Sequence, residues 1–480
     1  MPAIPTSAVI GVIGAGTMGA GIAQLAASAG HEVFLYEAFA GAAAKGKAGL
    51  MAGLRKLVAR GKVTEEQLEA IEGRITVVDS KEAMAPAAMV IEAVIEKLDV
   101  KRSLFQELEG IVRDDTILAT NTSSISVTAI ACGLTRPERL VGMHFFNPAT
   151  IMKLVEVISG VGTARDVAET VFATAEAWGK IAVHARSTPG FIVNRVARSY
   201  YGEALRLCEE QVADPSTLDA LLSEGVGFRM GPFELMDLIG HDVNYAVSVS
   251  VYNAFYQEPR FRPSNLQEEL VNAGHLGRKT GRGFYSYEVN AEKPAPSTES
   301  AVDEAAILEG FAFGGEWSGK TFSIAPTDGR PAYERAKEAG RAVIVYDFVS
   351  PMSGEGRVGF ATSPDTPAQA ILDFVATLAA LGIKATRLPD WPGLVATRIV
   401  ATLANEGFET VLQGVATEHD VDSAMRYGVN YPRGPMESAR SIGLGRVLAV
   451  LDHLHRLTGD PRYRASFGLR TAAQSAAARA

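Results

Sequence analysis

The chain has very few cysteines, the residues that form disulfides in small secreted domains and bind zinc in zinc-dependent ones. Among its 480 residues only Cys132 and Cys208 are cysteines, and they lie far apart in sequence. This excludes a disulfide framework and a cysteine-based zinc cluster, and it predicts a reducing, cytoplasmic compartment. No uncharged apolar run reaches the ~18 residues of a membrane span. The first residues, MPAIPTSAVI, have no basic stretch, so we expect no signal peptide and no membrane helix.

The chain also has fewer basic than acidic side chains. The net charge of −9 argues against a general nucleic-acid partner, because phosphate binding needs a positive field. With 47% apolar and 21% charged residues the composition is that of an ordinary globular protein. A chain of this length is too long for one core and predicts several domains.

A glycine pattern near the start predicts a dinucleotide site. Gly14, Gly16 and Gly19 form G-x-G-x-x-G between an apolar strand and a helix, and Glu37 ends the next strand. The glycines allow a tight turn, close approach of a pyrophosphate and close helix packing. A carboxylate in the place of Glu37 accepts hydrogen bonds from a ribose diol and repels a 2′-phosphate, which favours NAD over NADP. FAD is an alternative, and Thr17 and Met18 complete the predicted cofactor loop.

Polar residues end two later strands. ATNTSSIS places Ser123 after one strand, and GMHFFNP places His144 at the next. Glu156 lies on the neighbouring KLVEVI strand, where it can reach back to the imidazole. Near a nicotinamide, such a pair suits alcohol oxidation, because the base takes the hydroxyl proton while the carboxylate orients it. A buried structural histidine and a surface glutamate are the competing interpretations.

An internal repeat lies in the second half of the chain. TPGFIVNR, from Thr188, recurs as WPGLVATR, from Trp391, and GFRMGPFEL recurs as NYPRGPMES at equal spacing. The helical domain is therefore predicted twice, with Thr397 in place of Asn194. The predicted order is an α/β Rossmann-type domain, an all-α domain, a linker, a small α/β segment and a degenerate second α domain, at residues 1–186, 187–287, 288–304, 305–385 and 386–480.

These motifs together resemble the L-3-hydroxyacyl-CoA dehydrogenase family. The resemblance rests on GAGTMG, EAVIEKLDVKRSLFQEL, TNTSSISVT, HFFNP, KLVEVI, TPGFIVNR, GPFELMDL and GRKTGRGFYSY. The whole chain resembles longer bacterial members with a duplicated C-terminal domain. The resemblance implies NAD-dependent, reversible oxidation of an L-3-hydroxyacyl-CoA of 3-hydroxybutyryl or 3-hydroxyadipyl type, in fatty-acid or aromatic-acid catabolism.

The resemblance also implies residue roles. His144 is the expected base and Glu156 its partner, while Ser123 and Asn194 hydrogen-bond the substrate oxygen. Glu96 and Lys101 are expected beside the nicotinamide ribose, with a solvent-exposed helix start as the competing interpretation. No metal site is expected.

Substrate contacts depart from the family pattern at three positions. Arg60 stands where a CoA-contacting lysine is usual, and Gly53 replaces a frequent serine. His241 replaces a leucine, and we expect it either to touch the acyl end or to be partly exposed.

Two alternatives stay open. One is a dehydrogenase of a free hydroxy or sugar acid on the same scaffold, and the other is a non-catalytic NAD-binding or structural protein. The second helical copy is expected to pack on the first as an internal pseudo-dimer, or to support a homodimer.

Overall fold

The structure is a computed structural model that describes residues 1–302, 305–347 and 356–478. Residues 303 and 304 of the predicted linker, 348–355 of the predicted small segment and 479–480 lie outside the described residues. The chain divides into two compact units, residues 1–193 with 414–429 and residues 194–413 with 430–480. No helix of the described residues is long and apolar enough to cross a membrane.

The first unit is built around an eight-stranded sheet of order β3-β2-β1-β4-β5-β6-β7-β8. Within it only β6 and β7 pair antiparallel. The central strands are fully buried apolar runs, as expected for a sheet covered by helices on both faces. Its strands are β1 (Ile10–Ile13), β2 (Val33–Tyr36), β3 (Ile75–Val77), β4 (Met89–Glu92), β5 (Ile117–Thr120), β6 (Leu140–Phe145), β7 (Leu154–Ser159) and β8 (Ile181–Arg186).

Helices connect these strands and include one from the second helical copy. The strand order reverses between β1 and β4, which creates the crevice where ligands bind in open parallel sheets. The helices of this unit are α1 (Thr17–Ser28), α2 (Ala42–Val58), α3 (Glu65–Arg74), α4 (Leu98–Glu109), α5 (Val127–Ala131), α6 (Arg165–Ala177) and, from the second copy, α16 (Glu418–Gly428), which packs on β7 and β8.

The second unit contains both helical copies and a smaller sheet. Typical caps set its helix ends: Asp214 accepts from the Thr217 backbone N–H, and Pro215 occupies the first helical position. The helix α7 (Val193–Val196) leads into α8 (Arg198–Glu209), α9 (Pro215–Val226), α10 (Pro232–Ile239), α11 (His241–Ala254), α12 (Asn265–Asn272), α13 (Ala332–Ala339), α14 (Ala368–Ala380), α15 (Ala396–Leu412), α17 (Pro435–Ile442), α18 (Leu444–Thr458) and α19 (Phe467–Ala477).

The smaller sheet repeats the pairing pattern of the last four strands of the large sheet. Its order is β13-β12-β11-β10-β9, with parallel, antiparallel and parallel pairs along β10 to β13, as along β5 to β8. The last strand extends past the predicted end of the small segment, residue 385. The strands are β9 (Trp317–Ser318), β10 (Phe322–Pro326), β11 (Ala342–Tyr346), β12 (Gly356–Thr362) and β13 (Ile383–Arg387).

The two helical copies meet through reciprocal ion pairs in the second unit. Arg195 Nε lies 2.6 Å from Glu406 Oε1, and Arg398 Nε donates to Glu203 Oε1. Arg195 and Arg398 are equivalent in the repeat, as are Glu203 and Glu406. The two contacts are therefore equivalent to each other, as they would be at the two-fold interface of a symmetric dimer. All four side chains are at most 2% exposed. The predicted fold class, a Rossmann-type domain with a duplicated α domain and a small α/β segment between, is confirmed.

Candidate active site

The glycine-rich loop has the shape that a dinucleotide requires. Gly14 has φ +104°, and a Cβ there would lie 2.4 Å from the Ala93 carbonyl oxygen, while a Cβ on Gly19 would lie 1.8 Å from the Gly14 carbonyl oxygen. Around Gly16 no atom of the described residues lies within 4 Å of where a Cβ would be, so this position leaves open space in front of the helix. Helix α1 begins at Thr17 with no side-chain cap, so its first backbone N–H groups and its dipole favour a pyrophosphate.

Glu37 lies at the end of β2 beside this loop. Its Oε2 accepts from the Ala15 backbone N–H at 2.9 Å, and its Oε1 accepts from Ala38 at 2.9 Å. The carboxylate borders a cleft of about 390 Å³ that Tyr36 and Val94 also line. These residues fit the adenosine half of NAD: an acid for the ribose hydroxyls and apolar walls for the base.

Glu96 organises the loop that follows β5. Its Oε1 accepts from Thr122 Oγ1 at 2.6 Å and from the backbone N–H groups of Ser123 at 2.9 Å and Ser124 at 3.1 Å. Burial alone would raise the pKa of Glu96, but the charge of Lys101 and the Thr122 hydroxyl outweigh it, so the pKa is lowered. Glu96 is therefore held as a carboxylate that fixes the position of Ser123.

Lys101 is buried, so the competing interpretation of a solvent-exposed helix start is wrong for it. Its Nζ lies 2.6 Å from Glu92 Oε1 and 3.1 Å from Glu96 Oε2, with only 1% of the side chain exposed. Sequence reasoning missed Glu92, which also accepts from the Thr120 hydroxyl at 2.6 Å. An acid ending the otherwise apolar strand MVIE was the available signal.

His144 and Glu156 face each other on adjacent antiparallel strands. They are direct partners in the β6–β7 register, and His144 Nδ1 lies 2.7 Å from Glu156 Oε2. Their side chains are 7% and 1% exposed. The same carboxylate accepts from the backbone N–H groups of Ile192 at 3.0 Å and Val193 at 3.1 Å. Neither a surface glutamate nor a lone buried histidine describes this arrangement.

Two neighbours fix the strand that carries His144. Asn121 Oδ1 accepts from the Phe145 backbone N–H at 2.9 Å, which ties the end of β5 to β6. Lys180 Nζ donates to the carbonyls of Ala149 at 2.6 Å and Met152 at 2.8 Å in the β6–β7 loop. Sequence reasoning missed Lys180, because nothing local marks it as buried.

The other predicted residues belong to helices or to the turn after one. Asn194 is in α7, where its backbone carbonyl accepts from Arg198 Nε at 3.0 Å. Arg60 is exposed in the turn after α2. His241 is fully buried, with Nε2 2.7 Å from Asp237 Oδ1 and Nδ1 3.2 Å from Gln267 Nε2. The expectation that it is partly exposed is therefore wrong, because Asp237 and Gln267 pair with both its ring nitrogens inside the helical core.

A glycine-rich dinucleotide crevice with a histidine–glutamate pair on the same sheet defines an NAD-dependent dehydrogenase. Comparison with known proteins narrows the class. The family model "3-hydroxyacyl-CoA dehydrogenase, NAD binding domain" matches residues 9–188, and the corresponding "C-terminal domain" model matches both 190–287 and 393–478. A "3-hydroxybutyryl-CoA dehydrogenase reduced Rossmann-fold domain" model matches 324–392. The chain belongs to the 3-hydroxyacyl-CoA dehydrogenase family, as its motifs predicted.

Some relatives match nearly the whole chain, and others match a little over half of it. It is 45% identical to the 3-hydroxyadipyl-CoA dehydrogenase of Escherichia coli over 95% of both chains. A solved structure described as 3-hydroxybutyryl-CoA dehydrogenase from Escherichia coli matches with a TM-score of 0.95 and 44% identity, over 99% of this chain and 100% of that one. Human mitochondrial hydroxyacyl-coenzyme A dehydrogenase is 40% identical over 58% of this chain and 90% of its own length.

Proposed function

We propose that this protein oxidises short-chain L-3-hydroxyacyl-CoA thioesters to 3-oxoacyl-CoA, with His144 as the base. The observation that carries the proposal is the buried contact of 2.7 Å between His144 Nδ1 and Glu156 Oε2. A carboxylate on Nδ1 holds the proton there and leaves Nε2 as the acceptor for a hydroxyl proton. It also stabilises the imidazolium that forms.

Other groups on the chain position the substrate and the cofactor. NAD, when bound, supplies the hydride acceptor. The loop fixed by Glu96 presents Ser123 to the substrate oxygen, and Asn194 is the second proposed contact to that oxygen. Short polar groups there align the carbon and stabilise developing charge. We assign Gly14, Gly16, Thr17, Met18, Gly19, Glu37 and the Glu96–Lys101 pair to the cofactor.

The CoA end is assigned to the basic end of α2 and the turn that follows it. Arg60 is the proposed phosphate contact, since an exposed guanidinium can bind a phosphate through two parallel hydrogen bonds. Lys47, by contrast, donates to the Ile75 carbonyl at 2.6 Å and serves the fold. An acidic chain that binds CoA needs such a local positive site.

We further propose one active site per chain and an internal pseudo-dimer in place of a dimer partner. The reciprocal pairs Arg195–Glu406 and Arg398–Glu203 support it, since they have the pairing of a two-fold interface within one chain. Thr397 in place of Asn194 supports a single site. Two unpaired cysteines support a cytoplasmic location.

The test compares His144→Gln with a matched control. His184 also lies near a glutamate of the first unit, 3.7 Å from Glu169, but is 39% exposed and belongs to no proposed site. With L-3-hydroxybutyryl-CoA, His144→Gln should lower kcat about 10³-fold, the range of general-base catalysis, with the Kd for NAD within threefold. His184→Gln should stay within twofold of wild type.

Two results would contradict the proposal. A kcat of His144→Gln within tenfold of wild type would show that His144 is not the base. Oxidation of free L-3-hydroxybutyrate as efficient as that of its CoA thioester would favour the alternative of a free hydroxy-acid dehydrogenase.

A further inference from the structure

An arginine of α8 is buried among neutral partners one helical turn beyond Asn194. Arg198 is 7% exposed, and its guanidinium lies 4.9 Å from the centre of the Tyr201 ring. Its Nε donates to the Asn194 carbonyl at 3.0 Å, and its Nη1 donates to Ser248 Oγ at 2.9 Å and to the Asn244 carbonyl at 3.3 Å. All these acceptors are uncharged.

Arg198 has no carboxylate within ion-pair distance among the residues that the structure describes, unlike Arg195 and Arg398. Burial lowers the pKa of Arg198, and Tyr201 and Tyr431 offset this only in part. A buried cation without a counter-ion is costly, so it indicates a function beyond packing.

A second buried group beside Arg198 is also unsatisfied. The Tyr431 hydroxyl, on a residue only 5% exposed, has no hydrogen-bond partner in the described part of the chain. The centre of the Tyr431 ring lies 5.5 Å from that of Tyr200, which lies 5.8 Å from the centre of the Tyr201 ring that contacts Arg198. A guanidinium and a free hydroxyl together are what a carboxylate needs as donors.

The repeat shows that packing does not require these polar groups. The positions equivalent to Arg198, Asn244 and Ser248 are Ala401, Val447 and Leu451, and the position equivalent to Tyr431 is Phe228. The same helix arrangement therefore forms with an apolar filling in the other half of the pseudo-dimer. Of the two equivalent places in the repeat, the one beside Asn194, in the half that is proposed to hold substrate, has the polar cluster.

We propose that Arg198, assisted by the Tyr431 hydroxyl, binds the far carboxylate of a dicarboxylic 3-hydroxyacyl-CoA. The proposal rests on the proposed function and names its preferred substrate class. Asn194 is assigned to the oxygen on C3, and three carbon–carbon bonds of about 1.5 Å separate C3 from the far carboxylate of a six-carbon chain. An extended run of three such bonds covers about 4 Å, so with one hydrogen bond at its end it reaches the rise of about 6 Å between residues four positions apart in a helix.

The experiment measures kcat/KM for 3-hydroxyadipyl-CoA and for 3-hydroxyhexanoyl-CoA, which has the same carbon number and no far charge. Wild type should prefer the dicarboxylic substrate by at least about 30-fold, the effect of pairing a buried charge. Arg198→Gln should abolish this preference, because it should lower kcat/KM for the adipyl substrate far more than for the hexanoyl substrate. Tyr431→Phe, which keeps the ring, should lower kcat/KM for the adipyl substrate alone by about tenfold. Tyr333→Phe, on a side chain 51% exposed, is the matched control and should change neither substrate.

The outcomes separate this inference from the proposed function. If wild type oxidises hexanoyl as well as adipyl thioester, the carboxylate site is wrong and the dehydrogenase stands. If neither thioester is oxidised, the proposed function fails. Equal losses on both substrates in a folded Arg198→Gln protein would make Arg198 a structural residue. If Arg198→Gln does not fold, the proposal is tested by two other measurements. These are the wild-type ratio of kcat/KM for the adipyl and hexanoyl substrates and the effect of Tyr431→Phe on that ratio.

Discussion

Glu156 is expected to stabilise the fold with one carboxylate oxygen and to support turnover with the other. A single substitution should therefore separate its effect on stability from its effect on turnover. Its Oε1 accepts from the Ile192 and Val193 backbone N–H groups, and its Oε2 lies 2.7 Å from His144 Nδ1. In Glu156→Gln the amide oxygen should turn to the two backbone donors. The amide nitrogen then donates to Nδ1, which forces the imidazole proton onto Nε2 and removes the proton acceptor.

The magnitudes follow from burial. Holding the imidazole in the wrong tautomer is expected to lower kcat by about 10²- to 10⁴-fold. The backbone donors keep an acceptor, so the free energy of unfolding should fall by only about 1–2 kcal/mol. Glu156→Ala, which leaves both backbone N–H groups unpaired, should lose more stability than Glu156→Gln.

The second copy supplies a control. Asp347, fully buried, accepts from the Val395 backbone N–H at 2.9 Å and the Thr397 backbone N–H at 2.7 Å, so it anchors the equivalent helix start. Asp347→Asn should therefore cost comparable stability while kcat stays within threefold. Steady-state NADH formation and urea-induced unfolding measure both quantities. A kcat of Glu156→Gln within tenfold of wild type would contradict this prediction, and so would an equal loss of kcat in Asp347→Asn.

Two further predictions concern stability. Arg195→Met and Glu406→Leu should each lower the free energy of unfolding, and Glu406→Leu should cost more, about 3–5 kcal/mol, because Glu406 also lies 3.1 Å from the mostly buried Arg260. Adding Arg195→Met to Glu406→Leu should restore part of that loss, since it removes one of the two bare charges. A double variant whose loss in urea unfolding is the full sum of the two single losses would contradict this. Burial lowers the pKa of Lys180 from 10.5 to about 8, so between these pH values the unfolded chain holds a proton that the folded chain has released. Stability of wild type relative to Lys180→Met should therefore rise by about 3 kcal/mol from pH 8 to 10.5, and a constant difference would refute it.

Local patterns were sufficient to predict the fold class. Glycine spacing, apolar strands and helical periodicity are set by nearby residues, and the helical repeat was visible because TPGFIVNR and WPGLVATR share side chains. The small sheet's likeness to β5–β8 was not visible. The likeness consists of the order and direction of the strands, and many different apolar sequences can form the same arrangement.

The candidate site was predictable where sequence register alone brings residues together. His144 and Glu156 meet because an antiparallel turn pairs their strands. Glu92, Lys180 and Arg198 were missed, because their importance comes from burial by distant segments. A lysine or arginine in a sequence is normally a surface residue, and only tertiary structure shows the exceptions.

Joining two helical copies in one chain also allows the two ends of the interface to differ, which identical subunits do not permit. Arg398 Nη1 donates to Glu210 Oε2 at 2.9 Å, whereas the equivalent bond from Arg195 goes to the neutral Gln413 at 2.9 Å. A homodimer would place the same residue at both ends, so any change made for substrate binding would also appear at the opposite end. In this chain one end can hold the Arg198 cluster while the other keeps an apolar filling. The second copy thus lets the first become polar beside Asn194 without duplicating the cost of a buried charge.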